Sequence, residues 1–202
     1  MLPSPDHGFR IERADRTVII RFSWPEIRNP LSITVLNGLY SITEGLAHES
    51  SIDGVIFTGT SDIFASGADL REVAKISPSE AREFSLRGQR LMTMIAALPQ
   101  ITAAAISGPC FGGALDLALA CDHRIADANA SFAHPGVSLG LITGWGGTQR
   151  LPRLVGRGPA LELFLTALPI DAYRACSFGL VDAIADDPLA RAAEFVSKSE
   201  VR

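Results

Sequence analysis

Short β-branched apolar runs and helical apolar stripes alternate along the chain. Two runs, Thr17 to Ser23 and Gly54 to Thr60, predict strands that are covered by other elements on both faces. Between them, apolar residues recur at helical spacing from Val35 to Leu46, and Ser32 is placed to cap that helix. The beginning of the chain therefore predicts a strand, a helix and a second strand.

The same alternation continues toward the C-terminus. Ser77 to Glu80 has the form of a capping box and predicts a helix that Pro99 ends. Residues 101–106 then predict a strand, residues 108–113 a glycine-rich turn, and residues 114–120 the start of another helix. Apolar segments at 159–168 and 171–178 predict two further helices. Strand, turn and helix in repeated order indicate an α/β domain with right-handed crossovers.

Composition excludes several classes of protein. The 202 residues, 47% of them hydrophobic, are enough for one domain with a substantial core. Eighteen Lys and Arg against 22 Asp and Glu give a net charge of −4, which argues against nucleic acid as a partner. The three cysteines form no Cys-x-x-Cys pair, so we expect neither a disulfide framework nor a zinc site.

No segment predicts export or membrane insertion. The first residues contain two prolines and several charges where a secretory signal needs an uninterrupted apolar run. The most apolar window, residues 95–121, is broken by proline and glycine and contains Asp116. We therefore expect a cytoplasmic protein without a membrane partner.

Asp116 is the polar exception in an otherwise apolar helical segment, residues 114–120. Burial of an unpaired carboxylate costs several kcal/mol, to an order of magnitude, so this side chain needs a reason to be there. One interpretation is that it caps backbone N–H groups at the helix start. The other is a carboxyl with a raised pKa that serves as a general acid or base.

Two small-residue segments are candidates for close contact with a ligand. Gly112 and Gly113 stand directly before that helix, where free N–H groups collect negative charge, although a glycine pair could simply form a tight turn. The segment 64–70 (FASGADL) follows a predicted strand and offers an accessible backbone. It could equally be an ordinary loop capped by Asp69.

Three motifs in this order resemble the crotonase, or enoyl-CoA hydratase/isomerase, family. They are FASGADL at 64–70, ISGPCFGGALDLALACDHRIA at 106–126 and LGLITGWGGTQRLPRLVG at 139–156. The resemblance runs from about residue 10 to residue 187. It implies an α/β fold, a spiral of repeated ββα/βαβ units with a shortened C-terminal helical region. We therefore expect a core domain at 1–187 and a truncated C-terminal helical segment at 188–202.

The resemblance also implies a function. Family members bind an acyl-CoA thioester between two backbone N–H groups, which match Ala68 and Gly113 here, and stabilise its enolate. Asp116 would be the acid or base of a hydratase- or isomerase-like lyase or isomerase of fatty acid metabolism. Coenzyme A enters as part of the substrate, with no permanently bound cofactor or metal. The implied assembly is a homotrimer or homohexamer, an expectation that the short C-terminus weakens.

The family's substrate-contacting positions can be carried over residue by residue. They match Arg28, Pro30, Ser66, Gly67, Asp69, Leu70, Gly112, Gly136 and Leu139. Arg28 is a candidate for the coenzyme phosphates and Arg71 is a second one. Either arginine could instead be a solvated surface charge.

One departure from the family pattern bears directly on the reaction. Family hydratases use two glutamates, of which the first matches Asp116 and the second matches Gly136, a residue without a side chain. His134 could replace the missing group or could be structural. Trp145 could form one wall of the acyl pocket or could serve only in core packing.

The missing carboxylate leaves a second function open, a non-catalytic acyl-CoA-binding or scaffold protein. A dinucleotide-binding domain is disfavoured because no Gly-x-Gly-x-x-Gly follows a strand.

Overall fold

Strands and helices alternate through residues 7–198, the part of the chain that this computed structural model describes. The strands are β1 (Phe9–Ala14), β2 (Thr17–Phe22), β3 (Pro30–Leu31), β4 (Gly54–Thr58), β5 (Gly67–Ala68), β6 (Ile101–Ile106), β7 (Pro109–Phe111), β8 (His123–Ala126), β9 (Ser131–Ala133), β10 (Ile170–Asp171) and β11 (Ala183–Ile184). The helices are α1 (Ile33–Leu46), α2 (Leu70–Val73), α3 (Pro78–Ala96), α4 (Gly113–Ala118), α5 (Gly147–Val155), α6 (Arg157–Thr166), α7 (Ala172–Ser177) and α8 (Pro188–Lys198). Short 3₁₀ helices lie at Pro25–Ile27 and Pro135–Leu139.

The main sheet has six strands in the order β1-β2-β4-β6-β8-β11. Only the first pair is antiparallel, and the other four pairs are parallel. Every residue of β4 and β6 is buried, as parallel strands require when both faces of a sheet are covered. This confirms the prediction that the run at 54–60 is covered on both faces. For the run at 17–23 the prediction was wrong on one face, because the residues of β2 alternate between buried and half-buried.

Two separate cores cover the faces of this sheet. Most of the large side chains form one cluster, which includes α1, α3 and α4. On the other face, Ala192 and Val196 of α8 pack against Ile56 and Ile125. The described part of the segment at 188–202 is thus a helix that packs on β4, β6 and β8. The domain boundary at 187 stays a prediction.

Short strands form a second layer beside the main sheet. Strands β10, β9 and β7 make a three-stranded sheet, and β3 pairs with β5 in parallel. Along the chain, a strand of the main sheet is followed by a short strand of this layer and a helix, as in β4-β5-α2 and β6-β7-α4. This repetition is the predicted α/β spiral. The predicted turn at 108–113 was incomplete, because Pro109–Phe111 pairs with β9 as a strand.

The helix boundaries confirm the capping signals in the sequence. The Ser32 hydroxyl accepts a hydrogen bond from the Val35 N–H at the start of α1. The Glu80 carboxylate accepts one from the Ser77 N–H in a capping box at the start of α3. Within residues 7–198, no helix combines the length and the apolar character that a membrane crossing would need.

Candidate active site

A cavity of about 350 Å³ lies where β5 and the start of α4 meet the loop after β9. Its walls are mainly apolar, with Leu70, Phe84, Ile142 and Trp145 among them. Eight of the site residues predicted from sequence line it: Ser66, Ala68, Leu70, Gly112, Gly113, Asp116, Gly136 and Leu139. Residues from the segments 66–70, 112–116 and 136–139, which are far apart in the sequence, therefore meet at one cavity.

The remaining four predicted positions do not line this cavity. Arg28 is exposed in a left-handed turn, with φ of 67°, where its carbonyl accepts a hydrogen bond from the Ser66 N–H. Pro30 is buried and pairs with Gly67 between β3 and β5. The Asp69 side chain caps α2 and forms an ion pair with Arg71. These residues support the loops, and their predicted contact with coenzyme A stays a prediction.

Gly67 allows the backbone of β5 to lie against the start of α4. Its φ is +90°, and a Cβ built on it would stand 2.5 Å from the Phe111 carbonyl oxygen and 2.9 Å from the Gly113 nitrogen. No L side chain fits this space. The close approach places Ala68 beside Gly113, the first residue of α4, whose N–H has no partner within the helix.

Two glycines form a slot for the Trp145 indole. A Cβ on Gly88 of α3 or on Gly113 of α4 would overlap the ring. Trp145 is only 3% exposed and also contacts Phe84, with 5.6 Å between the ring centroids. The indole is thus fixed as one wall of the cavity, which supports both roles considered from the sequence, packing and lining.

Asp116 lies at the inner end of the cavity with no exposed surface. The Thr143 hydroxyl donates a hydrogen bond to its Oδ2, whereas its Oδ1 has no hydrogen-bond partner. Burial raises the pKa of the Asp116 carboxyl from 3.8 to about 7, against the opposing effects of Thr143 and of the backbone of Trp145 and Gly147. The carboxyl can therefore exchange a proton near neutral pH.

His134 faces the same carboxyl. Its Nε2 lies 3.6 Å from Asp116 Oδ1, and its ring packs on Phe164 with 5.0 Å between centroids. Burial lowers the pKa of His134 from 6.5 to about 4, so the imidazole is neutral at pH 7. Both ring nitrogens lack hydrogen-bond partners.

Gly136 lies two residues after His134, in the 3₁₀ helix that lines the cavity. A Cβ here would lie 2.8 Å from the carbonyl oxygen of Leu141. The Leu141 N–H also donates a hydrogen bond to the Gly136 carbonyl, which holds the two segments together. The absence of a side chain at position 136 is thus matched by the local packing.

The sequence interpretation missed Thr143, which binds Asp116 from 27 positions further along the chain. It also missed Phe84 and Ile142 as cavity walls. A signal for Thr143 was present, because it is a hydroxyl residue between an apolar pair and a glycine-rich turn. Among residues 7–198, no cluster of three or more His, Cys, Asp or Glu side chains could hold a metal ion.

Comparison with known proteins decides the family. The family model described as enoyl-CoA hydratase/isomerase matches residues 12–197. The chain belongs to the enoyl-CoA hydratase/isomerase family. A crystal structure of the enoyl-CoA hydratase from Bacillus anthracis superposes with a TM-score of 0.90 at 36% sequence identity, over 95% of this chain and 76% of that one. The α/β spiral is therefore the fold of this family.

Two curated relatives show the range of proteins that contain this fold. The crotonyl-CoA hydratase of Syntrophomonas wolfei is 37% identical over 175 residues, 86% of this chain and 67% of that protein. The fatty acid oxidation complex subunit alpha of Aliivibrio fischeri is 43% identical over 169 residues, 81% of this chain and 24% of that protein. The chain thus spans about two thirds of the first relative and a quarter of the second.

The buried carboxyl of this family member predicts a pH-dependent stability. Because the folded state raises the pKa of Asp116 to about 7, its favourable contribution is complete below pH 3.8 and is lost as the pH rises to 7. Between pH 5 and pH 8.5, the free energy of unfolding of the parent should fall by about 2–3 kcal/mol more than that of Asp116→Asn.

Urea denaturation of both proteins at the two pH values measures this difference. His134 titrates over part of the same range and lies 3.6 Å from Asp116, so the same two proteins are also compared in a His134→Gln background, where the difference should persist. Parallel pH dependences would show that the Asp116 carboxyl is not held in its neutral form.

Proposed function

We propose that this protein is an acyl-CoA-binding enzyme that stabilises a thioester enolate. The backbone N–H groups of Ala68 and Gly113 donate hydrogen bonds to the thioester oxygen, and Asp116 transfers the proton. One observation carries the proposal: both backbone positions and the buried carboxyl line the same apolar cavity. Such fixed donors stabilise a developing oxyanion by a few kcal/mol each, to an order of magnitude.

Helix geometry explains how α4 supplies both the Gly113 N–H donor and the Asp116 carboxyl. Gly113 and Asp116 are three residues apart, so they lie on the same face, one turn from each other. A thioester oxygen bound at the Gly113 N–H therefore places the neighbouring carbon atoms of the acyl chain toward Asp116. The surrounding apolar walls exclude water and strengthen both interactions.

The reaction class follows from the relatives and from this proton transfer. The Syntrophomonas wolfei relative is named a crotonyl-CoA hydratase, which supports hydration or isomerisation of a short 2-enoyl thioester. Decarboxylation and C–C cleavage proceed through the same enolate. The absence of a side chain at Gly136 favours a second candidate, a non-catalytic acyl-CoA-binding or scaffold protein. The cytoplasmic location and the homotrimer or homohexamer remain predictions.

Binding and turnover together separate these candidates. Calorimetry should detect binding of butyryl-CoA, and free coenzyme A should bind more weakly because it cannot fill the acyl cavity. A panel of acyl-CoA and enoyl-CoA esters should then show turnover of at least one member. Binding without turnover would identify the non-catalytic protein, and no binding of any ester would contradict both candidates.

A further inference from the structure

Three unpartnered polar atoms lie together in the cavity wall. In the described part of the chain, four buried side-chain atoms have no hydrogen-bond partner, and three of them belong to Asp116 and His134. Buried polar atoms without partners are rare in folded proteins because each loses its hydration. This cluster therefore indicates a place for a polar atom that binds there during function.

The geometry defines where that atom binds. The 3.6 Å between His134 Nε2 and Asp116 Oδ1 is too long for a good direct hydrogen bond. Two groups at this separation can both reach one oxygen atom at ordinary hydrogen-bond distance. Thr143 already occupies Oδ2, so Oδ1, which lies against Gly147 and has no hydrogen-bond partner, is the carboxyl oxygen left to bind that atom. Packing of the His134 ring on Phe164 fixes the imidazole in this position.

We propose that His134 is the second proton-transfer group of this site and that, with Asp116, it holds the water molecule that adds to a 2-enoyl thioester. This inference rests on the proposed function. His134 then supplies the chemistry for which position 136 has no side chain. The neutral imidazole is suited to the task because it offers one donor and one acceptor.

Each proton in the addition has a destination. The water oxygen bonds to the β-carbon, its proton passes to His134, and the double-bond electrons move to the thioester oxygen as an enolate. Asp116 in its acid form then protonates the α-carbon and becomes a carboxylate. The proton on His134 passes to that carboxylate, which restores both groups and leaves a 3-hydroxyacyl thioester.

The order of the two pKa values supports this return step. The pKa of Asp116 is about 7 and that of His134 is about 4, so a proton moves favourably from the imidazolium to the carboxylate. The next water molecule to enter can bridge the 3.6 Å between His134 Nε2 and Asp116 Oδ1 and relay this proton.

The test compares two reactions with different requirements. Hydration of crotonyl-CoA needs both groups, whereas exchange of the α-protons of butyryl-CoA with deuterated water needs only Asp116 and the backbone donors. His134→Gln should lower hydration by about 100-fold, the usual effect of losing one proton-transfer group, and change the exchange rate by less than about threefold. Butyryl-CoA affinity should be unchanged. Added imidazole should partly restore hydration to His134→Ala.

A matched control is available in the same protein. His123 also packs on a phenylalanine, Phe195, with 4.9 Å between ring centroids, but it does not line the cavity. His123→Gln should therefore retain hydration.

Each result has one meaning. Hydration that is unchanged in His134→Gln overturns the inference, and so does an equal loss of hydration and exchange, which marks a structural role. A parent protein that binds butyryl-CoA but hydrates no enoyl-CoA overturns the inference alone. A parent protein that binds no acyl-CoA overturns the proposed function beneath it.

Discussion

Asp116→Asn is expected to lower turnover of the acyl-CoA substrate by about 100-fold or more, the usual effect of removing a general acid or base. The amide matches the carboxyl in shape and can still accept the Thr143 hydrogen bond, so the cavity should keep its form. It cannot transfer a proton between solvent and the substrate. Acyl-CoA affinity should therefore change little, because the backbone donors and the apolar walls remain.

Steady-state kinetics and calorimetry on the same preparations measure the two quantities. Asp171→Asn is the matched control, because Asp171 caps α7 away from the cavity and asparagine is an equally good cap. This control should keep parental turnover. Turnover by Asp116→Asn close to that of the parent would assign the proton transfer to another group, with His134 the first to test.

Local signals made much of the fold predictable. The apolar runs of β4 and β6 are buried strands because a parallel sheet is covered on both faces. The run of β2, which lies beside the edge strand β1, is fully buried on one face only. Ser32 and Ser77 mark helix starts because hydroxyl caps satisfy N–H groups that the helix leaves free. Each of these signals depends on residues that are close together in the chain, so it can be recognised from the sequence alone.

The short strands illustrate what local signals miss. β7 and β9 are three residues each and pair across a separation of about twenty positions. Their stability comes from pairing with each other and from burial of Cys110 and Phe132 in the larger core, so neither segment shows the length or alternation of an independent strand. For this reason the sequence predicted only a glycine-rich turn at 108–113 and not the strand β7.

The sequence predicted backbone segments that line the cavity, but it did not predict the long-range contacts that complete the cavity. Small residues and a lone carboxyl in apolar segments pointed to the segment 64–70, Gly113 and Asp116, and the family resemblance implied Ala68 and Gly113 as the donors. The structure places these residues at one cavity, and their roles stay a prediction. The Thr143 contact and the Trp145 slot join α4 to distant segments, and no spacing rule links them.

The interpretation of Gly136 needed the structure most. From the sequence, the family resemblance implies only that a glutamate expected at this position is missing. In the structure, a Cβ at this position would press on the Leu141 carbonyl, so a glutamate would require residues 136–141 to shift. A carboxylate side chain at position 136 is therefore sterically opposed, whereas His134, two residues earlier, already faces Asp116.

Gly113→Val is expected to reduce acyl-CoA affinity at least tenfold and to destabilise the fold by about 1–3 kcal/mol, the usual cost of overpacking. A Cβ on Gly113 would overlap the Trp145 indole, which Gly88 confines from the other side. The ring cannot move away without disturbing α3, so α4 must shift. Any shift moves the Gly113 N–H from its place beside Ala68, and the proposed oxyanion would lose one of its two donors.

Calorimetry with butyryl-CoA and thermal unfolding test this prediction against two further variants. Gly45→Val is the matched control, because Gly45 is a helical glycine with no atom within 4 Å of a built Cβ. It should bind butyryl-CoA as the parent does and keep at least the parental stability, because valine has a slightly better helix propensity than glycine. Adding Trp145→Ala to Gly113→Val makes room for the valine and should recover part of the lost affinity. If Gly113→Val folds and binds butyryl-CoA with parental affinity, the thioester oxygen is not held at this N–H.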